Sequence, residues 1–118
     1  MATVLIVDDE PDVRKVLHAW ISRLGHSCLE AGDAAQALDV MAATPADMAF
    51  CDIQMPGRDG IWLTSQIRTK YPAVPVVLAT AVTNLAPRTT MQAGVMAYLV
   101  KPFDPKRIAE ALEVRLKW

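Results

Sequence analysis

Short, almost continuously apolar runs recur along the chain, and this recurrence restricts the possible folds more than any other feature. The five runs are Val4–Val7, Ser27–Ala31, Met48–Cys51, Val74–Ala79 and Val95–Val100. Strands of a half-exposed sheet alternate between apolar and polar residues, whereas parallel strands covered on both faces stay apolar throughout. The runs therefore predict five parallel strands between two layers of helices.

Amphipathic helical patterns occupy the stretches between these runs. After Pro11, apolar residues recur at the spacing of one helical face. They are Val13, Val16, Leu17, Trp20, Ile21 and Leu24. Pro11 suits the first turn of this helix, where no N–H donor is needed, and Gly25 suits its C-terminal stop.

The later helices are predicted from a cap and from helix breakers. Asp33 can cap a second helix. The apolar face of that helix comprises Ala34, Ala37, Leu38, Met41 and Ala42. A third helix is expected over about Gly60–Lys70, where a following proline ends it. The polar, Thr-rich stretch Asn84–Ala93 predicts a short fourth helix, and a fifth is expected to begin near Asp104.

The element order βαβαβαβαβα predicts a doubly wound α/β fold, because crossovers between parallel strands are right-handed. With 118 residues, 53% of them apolar, the chain suits one domain. We expect that domain to occupy residues 1–118, with no output domain present. The net charge of −1 gives no basic footprint for direct nucleic-acid binding. Since neither a membrane helix nor a signal peptide is evident, the expected location is the cytoplasm.

The cysteines and histidines give no indication of a metal or disulfide site. Cys28 and Cys51 lie inside apolar runs, without CxxC or zinc-type spacing, so both are expected to be free core residues. His18 and His26 are expected at the surface or at the rim of the core.

Polar residues follow four of the five apolar runs. Asp8 and Asp9 follow the first, Asp52 the third, Thr80 the fourth and Lys101 the fifth. The carboxyl ends of parallel strands share one edge of a sheet, where ligands of doubly wound folds bind. Three carboxylates, a hydroxyl and an ammonium group are therefore predicted to converge there.

Such a cluster needs a cation. Two carboxylates about 4 Å apart repel by about 4 kcal/mol at an effective dielectric constant of 20. Mg²⁺ relieves this repulsion, because it takes one or two carboxylates, keeps several waters and also binds phosphoryl oxygens. A lysine pairs with phosphate as a point charge, and a threonine hydroxyl donates to a phosphoryl oxygen. The set is suited to forming an acyl phosphate on a carboxylate.

Each residue alone also permits an ordinary structural interpretation. The acidic segment Asp8–Glu10 before Pro11 could be a helix N-terminal turn favoured by the helix dipole. Asp52 could be a turn residue before a Pro-Gly loop, and Thr80 or Lys101 alone carries little information. Their joint placement at four strand ends favours the functional interpretation.

These segments resemble the receiver domains of response regulators. The run Val4–Glu10 resembles the opening of that family, and residues 52–60 (DIQMPGRDG) resemble its acceptor aspartate and the loop after it. Thr80-Ala81 and Lys101-Pro102-Phe103 resemble two further signatures, and the similarity covers essentially the whole chain. The resemblance implies a flavodoxin-like, five-stranded sheet in the order 2-1-3-4-5, flanked by five helices.

The resemblance also implies roles for the residues that would handle the phosphoryl group. Asp52 would accept it, and Thr80 and Lys101 would bind its oxygens. Tyr98 would be a switch aromatic that turns inward as Thr80 moves. The peptide bond Lys101–Pro102 matches one that is often cis in this family.

A Mg²⁺ site is implied in the same way. Asp9 would be a direct ligand, and Asp8 would act mainly through a metal-bound water. Asp52 and the backbone carbonyl of Gln54 would complete the site.

The family's partners follow from that chemistry. The implied phosphodonor is a histidine kinase or a histidine phosphotransfer protein, and the implied recipient of the signal is an output domain or a downstream protein. The domain would be a switch rather than an enzyme, assisting only its own phosphotransfer and autodephosphorylation. A homodimer through the last two helices and the fifth strand is a further implied contact.

Three other classes fit the sequence less well. A pseudo-receiver would lack part of the acceptor set, which is complete here. A metal-dependent phosphohydrolase would need a D-x-D arrangement and a substrate cap. A flavin-binding protein would need a phosphate loop after the first strand, where this chain has the anionic segment Asp8–Glu10.

Overall fold

Five parallel strands form one sheet in the computed structural model of the chain, in the order β2-β1-β3-β4-β5. The strands are β1 Thr3–Val7, β2 Ser27–Ala31, β3 Met48–Asp52, β4 Val76–Thr80 and β5 Ala97–Val100. The helices are α1 Pro11–Arg23, α2 Ala34–Ala43 and α3 Gly60–Lys70. The structure describes residues 2–53, 57, 60–80, 97–100, 106, 108–110 and 112.

This topology confirms the predicted α/β fold and its strand order. The chain crosses from β1 to the edge strand β2, returns past β1 to β3, and then adds β4 and β5 in one direction. The direction changes between β1 and β3, which is where doubly wound sheets bind ligands. The predicted fourth helix, Asn84–Ala93, lies outside the described residues. The described residues of the predicted fifth helix, at 106, 108–110 and 112, are helical.

The ends of α1 follow from its sequence. Pro11 is its first residue, where the missing N–H removes no helical hydrogen bond. The helix stops before Gly25, whose φ of +91° lies in the left-handed region. Glycine adopts this conformation without a Cβ clash and therefore commonly ends helices.

Reciprocal hydrogen bonds fix the start of α2. The Asp33 carboxylate accepts from the backbone N–H of Gln36 at 2.8 Å. The Gln36 side chain in turn accepts from the backbone N–H of Gly32 at 2.6 Å. This arrangement resembles a capping box, and loss of such a cap costs about 1 kcal/mol.

Apolar clusters cover both faces of the sheet. Leu5 and Val7 of β1 belong to one cluster, together with residues of α2 and α3. Val4 and Ile6 belong to the other, together with residues of α1 and with Ile108. Val4–Val7 of β1 and all of β3 are therefore buried, as their continuous apolar sequence predicts, whereas the edge strand β2 leaves Ser27 and Glu30 exposed, contrary to that expectation. In the part of the chain that the structure describes, no helix has the length and apolar content needed to cross a membrane.

The buried faces of the helices are narrower than predicted. Leu17 and Ile21 are buried, but Val16 and Leu24 are 43% and 47% exposed. Ala42 of α2 is exposed as well. A helix buries only the part of its circumference that faces the sheet, and these residues lie at the margin of the apolar stripe.

Two other expectations need correction. β4 begins at Val76 rather than Val74. A turn closed by a 3.0 Å hydrogen bond from Val74 N to Tyr71 O precedes the strand, and Pro75 has no N–H to donate to a neighbouring strand. Cys51 is buried as predicted, but Cys28 is only half-buried because it lies on the edge strand β2; both thiols are free.

Candidate functional site

The end of β1 places one carboxylate inside the protein and two at its surface. Asp8 is 2% exposed, whereas Asp9 and Glu10 are exposed. The backbone N–H of Asp8 donates to Ala31 O at 3.1 Å, which continues the pairing of β1 with β2. The Asp8 Oδ1 atom accepts from the backbone N–H of Glu10 at 2.9 Å. This local bond folds the acidic segment back on itself.

The three carboxylates form a compact group. One oxygen each from Asp8, Asp9 and Glu10 lies within 4.8 Å of the others. A set of carboxylate oxygens with solvent access fits Mg²⁺, which prefers oxygen ligands and retains water. Asp8 and Asp9 were expected at a metal site from the sequence and Glu10 was not, although its position as the third consecutive acid was a usable signal.

Asp52 lies at the same edge of the sheet. It is the last residue of β3 and is 4% exposed. Val7 of β1 pairs with Cys51 of β3, so Asp8 and Asp52 directly follow paired residues on neighbouring strands. Such strands lie about 4.8 Å apart. The structure therefore brings these two buried acids to the switch point of the sheet.

The backbone of Asp52 is packed against the first residue of α3. A Cβ atom built on Gly60 would lie 2.1 Å from the Asp52 carbonyl oxygen and 2.8 Å from its carbonyl carbon. No larger residue fits there unless the backbone moves. The Gly60 N–H also donates to Ile53 O at 2.9 Å. Gly57, in the preceding loop, has a φ of +77°, so the two glycines are required for different reasons.

The Cys51 thiol, next to Asp52 in β3, is unreactive at neutral pH. Burial, and to a smaller extent the negative charge of Asp52, raise the pKa of the Cys51 thiol from 9.0 to about 12. The thiol is therefore protonated at neutral pH, and since the thiolate is the nucleophilic form, Cys51 does not compete with the carboxylate.

An arginine that the sequence analysis did not single out connects this edge to α1 and β2. Arg14 Nη1 donates to the Asp8 carbonyl oxygen at 2.5 Å. Its Nε atom pairs with Glu30 Oε1 at 3.3 Å, and His18 Nδ1 lies 2.8 Å from Glu30 Oε2. His18 is at the surface, as predicted, with 42% of its side chain exposed. The sequence signal for this contact was the position of Arg14 near the start of the helix that follows the acidic segment.

Two of the remaining predicted residues are placed by backbone register. Thr80 is the last residue of β4 and comes directly after Ala79, the partner of Asp52. Tyr98 lies in β5 opposite Leu78. Gln54 and Lys101 lie outside the described residues.

Comparison with known proteins identifies the family to which this fold belongs. A family model described as the response regulator receiver domain matches residues 4–113. The chain belongs to the response regulator receiver family. Proteins of this family are phosphorylated on an aspartate and work with phosphodonors and output partners. The resemblance seen in the sequence is thereby confirmed.

Particular relatives show the extent of the similarity. This receiver domain is 36% identical over 115 residues to the probable transcriptional regulator ycf27 of Guillardia theta, covering 97% of the chain and 45% of that protein. It is 37% identical over 102 residues to the DNA-binding transcriptional regulator NtrC of Escherichia coli strain K12, covering 86% and 22%. A crystal structure of the response regulator protein TrrA from Thermotoga maritima in complex with Mg(2+)-BeF has a TM-score of 0.89 and 28% identity, covering 98% and 99%.

These relatives limit one expectation from charge. The receiver domain spans less than half the length of the two curated relatives, and NtrC is described as DNA-binding. The expectation that nucleic acid is not a direct partner therefore concerns these 118 residues and does not extend to longer proteins that contain such a domain.

Proposed function

We propose that this receiver domain is a Mg²⁺-dependent phosphorylation switch whose acceptor is Asp52. The supporting observation is the placement of Asp52 as a buried carboxylate at the end of β3, beside Asp8 at the switch point of the sheet. A carboxylate in this position faces the crevice where ligands of doubly wound folds bind.

In the proposed reaction, a carboxylate oxygen of Asp52 attacks the phosphorus of a phosphodonor. The bond between phosphorus and the donor's histidine nitrogen breaks, and the nitrogen keeps the electron pair. Lys101 and Thr80 bind the phosphoryl oxygens, the first by charge and the second by hydrogen bonding. No separate substrate is converted, so the domain is a switch rather than an enzyme.

The metal ligands in this proposal are Asp8, Asp9, Asp52 and the backbone carbonyl of Gln54. As the family resemblance implies, Asp9 would be the direct ligand and Asp8 would act mainly through a metal-bound water; Asp9 is the exposed member of the pair. When bound, Mg²⁺ supplies positive charge that offsets both the carboxylate repulsion and the charge of the phosphoryl oxygens. The grouping of Asp8, Asp9 and Glu10 supports this assignment.

Phosphorylation adds a charge of roughly −1.5 to −2 at Asp52. In the proposed switch, Thr80 moves toward the new oxygens and Tyr98 turns into the vacated space, which rearranges the surface around the fourth helix and β5. That surface then contacts an output domain, a downstream protein or a second copy of the chain. We place the donor, a histidine kinase or histidine phosphotransfer protein, in the cytoplasm, where ATP sustains its phosphorylation.

The test is the intact mass of the domain after incubation with acetyl phosphate. With Mg²⁺, we expect the wild-type protein to gain one phosphoryl group, and with a chelator none. Asp52→Asn should gain none, whereas Asp39→Asn, which changes an exposed carboxylate on α2, should be labelled like the wild type. Equal labelling of Asp52→Asn would contradict the assignment.

A further inference from the structure

Three polar or charged residues are buried among those that the structure describes: Asp8, Asp52 and Thr64. The first two belong to the site discussed above. Thr64 lies in the second turn of α3 with none of its surface exposed. An apolar side chain of the same shape would fill this position, so the hydroxyl calls for an explanation.

The hydroxyl of Thr64 donates to the carbonyl oxygen of Gly60 at 2.7 Å. A hydroxyl without such a bond would be costly to bury. Even with it, threonine is a poorer helix former than most residues, and a bond of this type to the carbonyl four residues earlier slightly bends a helix. Valine has a similar helix propensity but no hydroxyl to bury or to bend the helix, so the hydroxyl of Thr64 is not needed for the stability of α3.

Gly60 also packs closely against the backbone of Asp52. Its missing Cβ would overlap the Asp52 carbonyl oxygen at 2.1 Å, and its N–H donates to Ile53 O at 2.9 Å. Gly60 therefore cannot shift toward β3 without displacing the backbone of Asp52, nor away from β3 without stretching the bond from its N–H to Ile53 O. The Thr64 hydroxyl therefore constrains, through one glycine, the backbone that carries the acceptor.

We propose that Thr64 is a positioning residue for phosphotransfer: its hydroxyl holds the Gly60 peptide against the backbone of Asp52 and so fixes the attack geometry of the acceptor carboxylate. This inference rests on the proposed function of Asp52. The expected consequence is kinetic, because misplacement of reacting groups by about 1 Å can lower a rate by about 10²-fold.

The same helix provides a matched control. Thr69 makes the same type of bond, to Ser65 O at 3.0 Å, but it is exposed and lies farther along α3 from Gly60. A change of Thr69 to valine thus removes an equivalent hydrogen bond without touching the contact with Asp52.

The experiment compares Thr64→Val, Thr64→Ser and Thr69→Val with the wild type in phosphorylation by acetyl phosphate at saturating Mg²⁺. We expect the maximal rate of Thr64→Val to fall by roughly three- to tenfold, a fraction of the effect of a full 1 Å displacement. Its Mg²⁺ affinity and melting temperature should be unchanged, or the latter raised. Thr64→Ser, which keeps the hydroxyl, and Thr69→Val should react at the wild-type rate.

Backbone amide NMR provides a readout that does not depend on phosphorylation. In Thr64→Val we expect shifts at Asp52 and Ile53, which Thr64→Ser and Thr69→Val should not show. A wild-type rate for Thr64→Val, or an equal loss in Thr69→Val, would overturn the inference and leave the role of Asp52 intact. If the wild-type protein is not labelled on Asp52 at all, the proposed function itself fails, and the kinetic role of Thr64 fails with it.

Discussion

The two acidic strand ends at the switch point of the sheet are built differently. At the end of β1, the buried Asp8 carboxylate accepts a local hydrogen bond from the Glu10 N–H, two exposed carboxylates follow it, and Arg14 donates to the Asp8 carbonyl from α1. At the end of β3, the backbone that carries the buried Asp52 carboxylate packs closely against Gly60. Side-chain contacts set the geometry of the first end, and backbone packing sets the geometry of the second.

This difference matches the two tasks that we assign to these ends. A metal site can adjust side chains and waters as the ion arrives, so exposed carboxylates suit the end of β1. A nucleophile must keep its orientation, because the rate depends steeply on geometry. Substitutions at the end of β3 should therefore shift the backbone and lower the rate of phosphorylation. Substitutions at the end of β1 should change the local charge and weaken Mg²⁺ binding.

The largest expected effect comes from adding a methyl group at the backbone contact. Gly60→Ala should lower the free energy of unfolding by about 1–3 kcal/mol through overpacking, and should strongly reduce phosphorylation. The control is Gly32→Ala, directly after β2, where the atoms nearest to an added Cβ are side-chain atoms at 3.4 and 3.5 Å. That change should stay within about 0.5 kcal/mol. Chemical denaturation measures the free energy of unfolding of both variants. Equal stability would show that the backbone at Asp52 shifts to accommodate the methyl group at little cost.

The next effect is on metal affinity. Asp9→Asn should weaken Mg²⁺ binding by about tenfold, since it removes the negative charge of the direct ligand, and Asp8→Asn should weaken it less. Glu10→Gln tests the member of the group that the sequence did not indicate, and we expect an intermediate loss because its carboxylate adds charge to the same group. Isothermal titration measures all three. An unchanged affinity in Asp9→Asn would place the metal elsewhere.

A smaller effect concerns pH at the β3 end. Because burial raises the pKa of Cys51 from 9.0 to about 12, the folded state holds the thiol proton more tightly than the unfolded state. The resulting stabilisation is fully present below pH 9 and is lost as the pH rises toward 12. Denaturation at pH 8 and pH 10.5 should therefore show a smaller alkaline loss in Cys51→Ala than in the wild type. An identical loss in both proteins would indicate that the thiol is not the group responsible.

The smallest effect is expected from the ion pair beside the β1 end. Glu30→Gln removes the charge that pairs with Arg14 at 3.3 Å, while the bond from Arg14 to the Asp8 carbonyl can persist. Partly exposed pairs of this kind contribute about 0.2–1 kcal/mol. The change in unfolding free energy should lie in that range and should shrink in high salt. A loss above that range would show that Glu30 supports the acidic segment more directly.

The sequence predicted the fold well because its signals were repeated. Five apolar runs, Pro11 and Gly25 at the ends of α1, and the cap at Asp33 all indicated the same architecture. The start of β4 was predicted two residues too early, because apolar character alone does not show that a turn precedes Pro75.

The site was predictable where it depended on strand ends and not where it depended on packing. Asp8, Asp9 and Asp52 follow directly from the rule that parallel strands end at one edge. The contact between Gly60 and Asp52 requires three-dimensional distances, since a glycine at the expected start of a helix does not by itself indicate a close backbone approach. The roles of Arg14 and Thr64 depend on hydrogen bonds that residue type alone does not reveal.

The most direct test of the account asks whether the two strand ends form one site. Amide NMR spectra should be compared for the domain alone, with Mg²⁺, with beryllofluoride, and with both. The account predicts that the two together shift the amides of Asp8–Glu10 and of Asp52–Ile53, and that beryllofluoride without Mg²⁺ shifts neither group. Shifts confined to Asp8–Glu10 when both are present would show that the acidic group binds metal independently of Asp52, and would contradict the account.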